Sequence, residues 1–339
     1  MLRVGLVGAG WVAGEHFQAY LNNPETKIAA IAVRRPETAQ EHMDTFGFSA
    51  EVFTDYQKML DECGLDVVSI CTPPNVHAEQ TIQAAEAGCH MVIEKAVALN
   101  MDEMNQMRKA VNDAGVKTIV SFVLRWNSLF ETIRSLLAAQ AIGRVFYSEV
   151  DYYHGIGPWY GQYSWNIKKE IGGSSFLSAG CHAVDALRWF TGSEATEVTA
   201  YSTHSNNPDF GMEYDPTLVA LIKLADGSIG KVASSLECVQ PYHFPIRLCG
   251  DGGSILNNKF FSKSLMPGQT DMAEIPSILP DSGDVSHHPF QGQIDHFVEC
   301  ILTDTESHCN LEDAAKTHEI CFAAETSAQE GQPVPLPLS

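Results

Sequence analysis

Long apolar runs are missing from this chain. Nowhere do about 18 consecutive apolar residues occur, so no segment has the length of a membrane-spanning helix. Basic residues are scarce: 21 Lys and Arg stand against 42 Asp and Glu, a formal charge of −21. That balance excludes the basic footprint of a nucleic-acid binder and argues against attraction to an anionic membrane surface. The nine cysteines are odd in number and none is spaced C-x-x-C, so reduced structural thiols are expected rather than a disulfide framework. The 13 histidines, with the adjacent pair His287 and His288, show no metal-ligand spacing, and no metal is expected. Internal repeats and low-complexity tracts are absent. The opening MLRVGLVGAG is too short for the apolar core of a signal peptide and no small-residue cleavage site follows it, which makes the cytoplasm the expected compartment.

What the chain does contain is enough apolar material for two domains: 339 residues, 45% of them hydrophobic. Up to about residue 120 two textures alternate. LRVGLV, KIAAIAV, DVVSIC, HMVIE and KTIVSF are short apolar runs rich in β-branched residues, as in strands buried on both faces. Helical patterns fill the gaps at 12–22, 36–46, 75–87 and 101–114, with Gly88 placed to end the third. Alternation at this spacing predicts a parallel, doubly wound sheet of Rossmann type over residues 1–124. Beyond residue 125, after a helix at 128–141, the stretches EATEVTAYSTHS, TLVALIKL, SIGKVASSLEC and FPIRLCG read as antiparallel strands, with a turn at ADGS, 225–228. Helices at 174–191, 290–303 and 311–328 accompany them. Residues 125–339 are therefore expected to form an α+β domain with a large, mainly antiparallel, open-faced sheet, and the whole chain to be of the α/β class.

The first apolar run ends in Gly8-x-Gly10-x-x-x-Gly14 and a helix begins there. Gly8 permits a tight turn and Gly10 lets a pyrophosphate approach the backbone. Ala13 is small enough for close helix–strand packing, and the helix N-terminus supplies N–H donors. Trp11 and Val12 complete this candidate cofactor loop. The second run ends in Arg34 and Arg35, where an NAD-preferring site usually has a carboxylate for the ribose hydroxyls. Guanidinium groups pair with a 2′-phosphate. NADP is the expected cofactor, with NAD possible; two solvated surface arginines are the plainer alternative.

The strand HMVI delivers Glu94 and Lys95 at its end, followed by Ala96. DVVSICTPPNVHAEQTIQAAEAGCHMVIEKAVALN resembles the Gfo/Idh/MocA oxidoreductase family, whose wording is TP-x-x-x-H, then AL-x-AGKHV, then EKP. LRWNSLFETIRSLLAAQAIGRVFYSEVDY is similar to the family's entry into its second domain, and GGSSFLSAGCHAVDALRWFTG to its GGG-x-L-x-D-x-G-x-H-x-x-D motif. The likeness extends over most of the chain. It implies a nicotinamide cofactor touched by Thr72, Pro73, Asn75, His77, Glu94 and Lys95. It also implies a sugar or polyol substrate bound between the domains, and a homodimer or homotetramer formed through the C-terminal sheet.

Moving a hydride to or from a carbinol carbon needs a group for the hydroxyl proton. Lys95, at the carboxyl end of a parallel strand, is placed for that role, with Glu94 holding it or bonding the nicotinamide ribose. Ser178, His182 and Asp185 fall at i, i+4 and i+7, on one helix face. Many family members have Asp at the first position. Serine can bond a sugar hydroxyl but cannot be a carboxylate base, so His182 and Lys95 are expected to share the proton, with Asp185 orienting the imidazole. Tyr163 and Trp165 are candidates to stack on a sugar ring. Arg125, beside Asn127, reaches either the substrate or a structural ion pair. With alanine in place of proline, the turn at Lys95–Ala96 is expected to be trans or more flexible, holding Lys95 less firmly unless its neighbours compensate. Two other functions remain open: glycoside cleavage or epimerisation by transient oxidation with tightly held NAD(P), and a non-catalytic nucleotide-sensing regulator.

Overall fold

The computed structural model describes residues 1–277, 279–280 and 288–338, which leaves His287 of the paired histidines outside the described residues. The chain divides into two compact units.

The first unit comprises Met1–Val123, Glu170–Gly172 and Pro289–Ala315. Its strands are β1 (Leu2–Val7), β2 (Thr26–Ala32), β3 (Glu51–Phe53), β4 (Val67–Ile70), β5 (His90–Ile93) and β6 (Thr118–Val120). They form a six-stranded sheet in the order β3-β2-β1-β4-β5-β6, and every pairing is parallel. Helices at Ala13–Asn22, Pro36–Phe46, Tyr56–Cys63, His77–Glu86 and Met101–Ala114 connect them. Val4, Leu6, Ile31, Val68, Ile70, Met91, Val92 and Ile93 are fully buried, as continuous apolar runs in a two-sided sheet must be. Strand order reverses between β1 and β4, so the carboxyl ends of those strands flank the crevice where such sheets take ligands.

Residues 289–315 group with this first unit, and a single division at 124/125 does not describe the chain. The helix Phe290–Leu302 buries Ile294 and Phe297. Asn23 donates to Asp295 (2.7 Å), Val120 N–H to the Cys309 carbonyl (2.8 Å) and Leu311 N–H to Thr118 Oγ1 (2.9 Å). The segment follows the second sheet in chain order, but its apolar face and edge hydrogen bonds place it in the first unit.

The second unit is built on a nine-stranded sheet. Its strands are β7 (Val145–Tyr153), β8 (Ala195–Thr203), β9 (Thr217–Leu224), β10 (Ile229–Ser235), β11 (Ile246–Gly250), β12 (Gly253–Leu256), β13 (Lys259–Ser262), β14 (Ala273–Glu274) and β15 (Val334–Pro335). The order is β14-β13-β12-β11-β7-β10-β9-β8-β15, antiparallel except for the β7–β10 pair. Along β9 burial alternates: Leu218, Ala220, Ile222 and Leu224 face the core, while Val219 and Leu221 face outward. The helix Cys181–Thr191 packs on β7 and β10. It is preceded without a break by a π-helical turn, Phe176–Gly180. Among the described residues no helix is long and apolar enough to cross a membrane.

Candidate active site

In the first unit the loop after β1 is shaped by two glycines for different reasons. Gly8 has φ +90°, and a Cβ there would stand 2.7 Å from the Cys71 carbonyl, so both conformation and close approach demand glycine. A Cβ on Gly10 would meet nothing within 4 Å. No protein neighbour explains that glycine. The helix Ala13–Asn22 follows with no side chain capping its N-terminus, and Trp11 is 40% exposed beside it. These features fit a dinucleotide phosphate. Ala13 is buried as expected, and Gly14 packs on His42 and Phe46.

Arg34 and Arg35 emerge exposed after β2, where Arg35 begins the helix Pro36–Phe46. Thr72, beyond β4, donates from Oγ1 to Gln80 (2.6 Å); Pro73 is half-buried and Asn75 is exposed on the short turn Pro74–Val76. His77 is placed differently from the expectation of a direct cofactor contact. It is fully buried, with Nδ1 2.8 Å from the Ala96 carbonyl and Nε2 2.7 Å from the Thr72 carbonyl. Both ring nitrogens face backbone carbonyls, and the neutral ring, with a single N–H, donates to one of them at a time. Burial lowers its pKa, against the pull of the two carbonyls and Glu94.

Glu94 ends β5 almost wholly buried, and its partner is a residue that the motifs did not point to. His16, fully buried on the helix Ala13–Asn22, has Nε2 3.0 Å from Glu94 Oε1. Its Nδ1 lies 3.4 Å from Ser69 Oγ, which is bonded in turn to the Tyr20 hydroxyl (2.8 Å). Burial disfavours the imidazolium, yet Cys71 and the Glu94 carboxylate outweigh it and raise His16 to about 10. Burial would likewise raise Glu94, but the hydrogen bond and charge of His16, with Lys95 and Ser121, hold it below the ordinary carboxylate range. Lys95 follows, half-buried, its N–H donating to Glu94 Oε2 (3.3 Å). The Lys95–Ala96 peptide is cis, correcting the trans expectation. Ala96, Val97 and Ala98 are fully buried and His77 holds the Ala96 carbonyl, so packing defines a turn that lacks proline.

In the second unit the three residues spaced i, i+4 and i+7 do not share one regular helical stripe. Ser178 sits in the π-helical turn, which takes it out of register with His182 and Asp185 on the α-helix. His182 is 7% exposed and lies parallel to the Tyr152 ring, with centroids 6.3 Å apart. Tyr152 packs edge-on against Tyr242, as His154 does against Tyr160 and Tyr242. Sequence reasoning passed over Tyr152, His154 and Tyr242. Their signal is an aromatic at the end of β7, next to a loop rich in aromatics. The Tyr214 hydroxyl bonds Ser178 and donates to the Asn166 carbonyl (2.8 Å). Nearby Ser174 bonds Glu325, whose carboxyl burial pushes up to about 7.

Asp185 does not orient the imidazole. Arg125 donates to both of its oxygens, from Nε (2.8 Å) and Nη2 (2.5 Å), and Thr317 adds a third bond (3.2 Å). The guanidinium lies 4.6 Å from the Trp189 ring. Both partners are buried, so Arg125 forms the structural ion pair that was the alternative to a substrate contact. Tyr163 is half-buried, its hydroxyl accepting from Gly211 N–H (3.1 Å), and Trp165 is half-buried on the same short helix, Tyr163–Asn166. Among the described residues no group of His, Cys, Asp or Glu is gathered to hold a metal ion.

A parallel sheet with a glycine loop at its switch point is the architecture of a dinucleotide-binding domain. Two family models match the chain: the oxidoreductase family with an NAD-binding Rossmann fold over residues 2–122, and the GFO/IDH/MocA C-terminal domain over residues 130–256. The chain belongs to the Gfo/Idh/MocA family. It is 28% identical to scyllo-inositol 2-dehydrogenase (NAD(+)) of Bacillus subtilis, covering 99% of this chain and 96% of the relative. It is 26% identical to the uncharacterized oxidoreductase YrbE of the same organism, covering 98% and 96%. Among solved structures, levoglucosan dehydrogenase in complex with NADH and levoglucosan superposes with a TM-score of 0.86 at 24% identity, covering 99% of this chain and 100% of that one.

Proposed function

We propose that this protein is a dehydrogenase or reductase of a sugar, polyol or related carbonyl compound, with Lys95 and His182 sharing the proton of the substrate hydroxyl. The observation that carries this reading is the anchored charge at the end of β5. Glu94 is kept anionic by His16, and Lys95 projects from the residue after it. Nicotinamide, when bound, supplies the hydride acceptor or donor. Lys95 takes or returns the hydroxyl proton, and Glu94 keeps the lysine in place. Ser178, itself bonded by Tyr214, offers its hydroxyl to a substrate hydroxyl, and His182 serves as the second proton group beside Tyr152. Tyr163 and Trp165 offer ring faces for a sugar. Arg34 and Arg35 support NADP over NAD, since both are exposed and the first acid beyond β2, Glu37, already belongs to the following helix. No disulfide links the nine cysteines, in keeping with a cytoplasmic setting. Outward-facing Phe146, Tyr201, Val219, Leu221 and Ile229 on the second sheet support a homodimer or homotetramer through that face.

The test is a screen of polyols, aldoses and glycosides with NAD and NADP, following reduced nicotinamide and product separately. Turnover that Lys95→Met and His182→Ala each abolish supports the assignment; normal turnover in either variant removes that residue from it. Glycoside cleavage without net cofactor reduction would replace the simple dehydrogenase with transient oxidation, and tighter NAD than NADP binding would remove the arginine argument.

A further inference from the structure

We propose that two buried histidines, His16 and His77, position Lys95 by separate handles: His16 through the Glu94 side chain and His77 through the Ala96 carbonyl. The inference rests on the reading of Lys95 as a proton-transfer residue. A lysine amine on a four-carbon stem is placed only as well as its backbone is. Here three consecutive residues, Glu94, Lys95 and Ala96, form that backbone, and a histidine holds the residue on each side of the lysine. Both rings are fully buried, so neither reaches a ligand or solvent. Burying an imidazole is costly unless its polar atoms are bonded, and each of these rings has both nitrogens within bonding distance of an oxygen.

The histidines also tie the elements beneath the lysine together. His77 lies between the Thr72 carbonyl beyond β4 and the Ala96 carbonyl beyond β5, at the ends of neighbouring parallel strands, and its single N–H donates to one of them at a time. His16 joins the cofactor-loop helix to Glu94, while its other nitrogen faces Ser69 of β4. Cys71, Tyr20 and the Phe290 ring complete its surroundings; the charges facing His77 are Glu94 and Lys95. Glu94 receives a second constraint from Ser121, whose hydroxyl accepts from Gln293 (3.1 Å). Displacing a catalytic group by about 1 Å costs up to roughly 100-fold in rate, so handles of this kind are worth keeping in a turn without proline.

Conservative variants separate the handles. His16→Gln keeps a donor toward Glu94, and His16→Leu removes it. His77→Asn keeps a donor toward Ala96, whereas His77→Gln keeps only the one toward Thr72. Two measurements are compared. The first is steady-state kinetics. The second, on cofactor-free protein, is the pH dependence of Lys95 labelling by an amine-selective reagent, read by mass spectrometry with exposed Lys58 and Lys109 as internal references. His16→Leu and His77→Gln are expected to lose kcat roughly 10- to 100-fold with KM nearly unchanged, and to shift the Lys95 labelling profile alone. His16→Gln and His77→Asn are expected to restore kcat to within about threefold. Where His16→Leu does not fold, Glu94→Gln weakens the same bond from the other partner and gives the same readout. An unchanged Lys95 labelling profile in folded His16→Leu or Glu94→Gln and in His77→Gln overturns the proposal. Full turnover in Lys95→Met would instead overturn the catalytic reading, and the labelling profile would still decide the positioning.

Discussion

Replacing His16 by glutamine should remove a specific alkaline loss of stability. His16 is raised from an ordinary value of 6.5 to about 10 in the folded protein, because Cys71 and Glu94 together overcome the burial that opposes its charge. A group raised on folding contributes stability that is fully present below its unfolded pKa and disappears as pH climbs through the folded one. For His16 the window therefore runs from 6.5 to about 10. Within it the folded state holds one proton that the unfolded state has released, which gives a slope of about −1.4 kcal/mol per pH unit and a ceiling of about 5 kcal/mol over the window. His16→Gln keeps a donor to Glu94 but carries no titrating proton. The assay is urea unfolding at half-unit steps from pH 6 to 10.5 on both proteins, analysed as wild type minus variant. Glu325, raised to about 7, titrates in the same range in both proteins and cancels in the difference. The difference should fall by about 2–5 kcal/mol across the window. A difference flat to within about 0.5 kcal/mol would refute a charged His16 holding an anionic Glu94.

Two glycines of the cofactor loop should separate stability from binding. Gly8→Ala forces a Cβ to 2.7 Å from the Cys71 carbonyl at φ +90° and should lower the melting temperature. Gly10→Ala meets no protein atom and should melt like wild type while binding NAD(P) at least about tenfold more weakly by fluorescence titration. Asp185→Asn leaves the buried Arg125 guanidinium without its countercharge, and chemical denaturation should show a loss of about 3–5 kcal/mol. Leu221→Glu on the outward face of β9 should shift light-scattering mass toward the monomer without changing the melting curve of the isolated protomer; an unchanged mass would move the proposed contact elsewhere.

The sheet of the first unit was readable because its strands are buried on both faces, which makes them continuous apolar runs that end in turn signals. β7 was harder, although it lies at the centre of the second sheet between β11 and β10. Its buried positions include Ser148 and Asp151, which break the alternation expected of a half-buried strand. Asp151 tolerates burial because Lys231 bonds it at 2.6 Å and Ala233 N–H at 2.7 Å, partners about 80 residues away. The short β3 and the helix Tyr56–Cys63 escaped for a simpler reason: three and eight residues give too little periodicity to read.

In the site, the difference between what was legible and what was not follows sequence separation. Glu94 and Lys95 stand out because charge at the end of an apolar strand demands a partner, but nothing local says which. The partner is His16, 78 residues earlier, on a helix whose glycine loop draws attention to phosphate rather than to the ring two residues past Gly14. Asp185 shows the opposite case. Helical spacing puts it within reach of His182, and local geometry alone made it an imidazole partner. Arg125, 60 residues away, offers two donors in a planar fork, and a carboxylate buried beside such a fork is taken by it. A buried carboxylate goes to the donor that best satisfies it, wherever that donor lies in the chain. Reading a site from spacing is therefore safest where side chains face solvent or ligand, and weakest where burial lets distant residues compete.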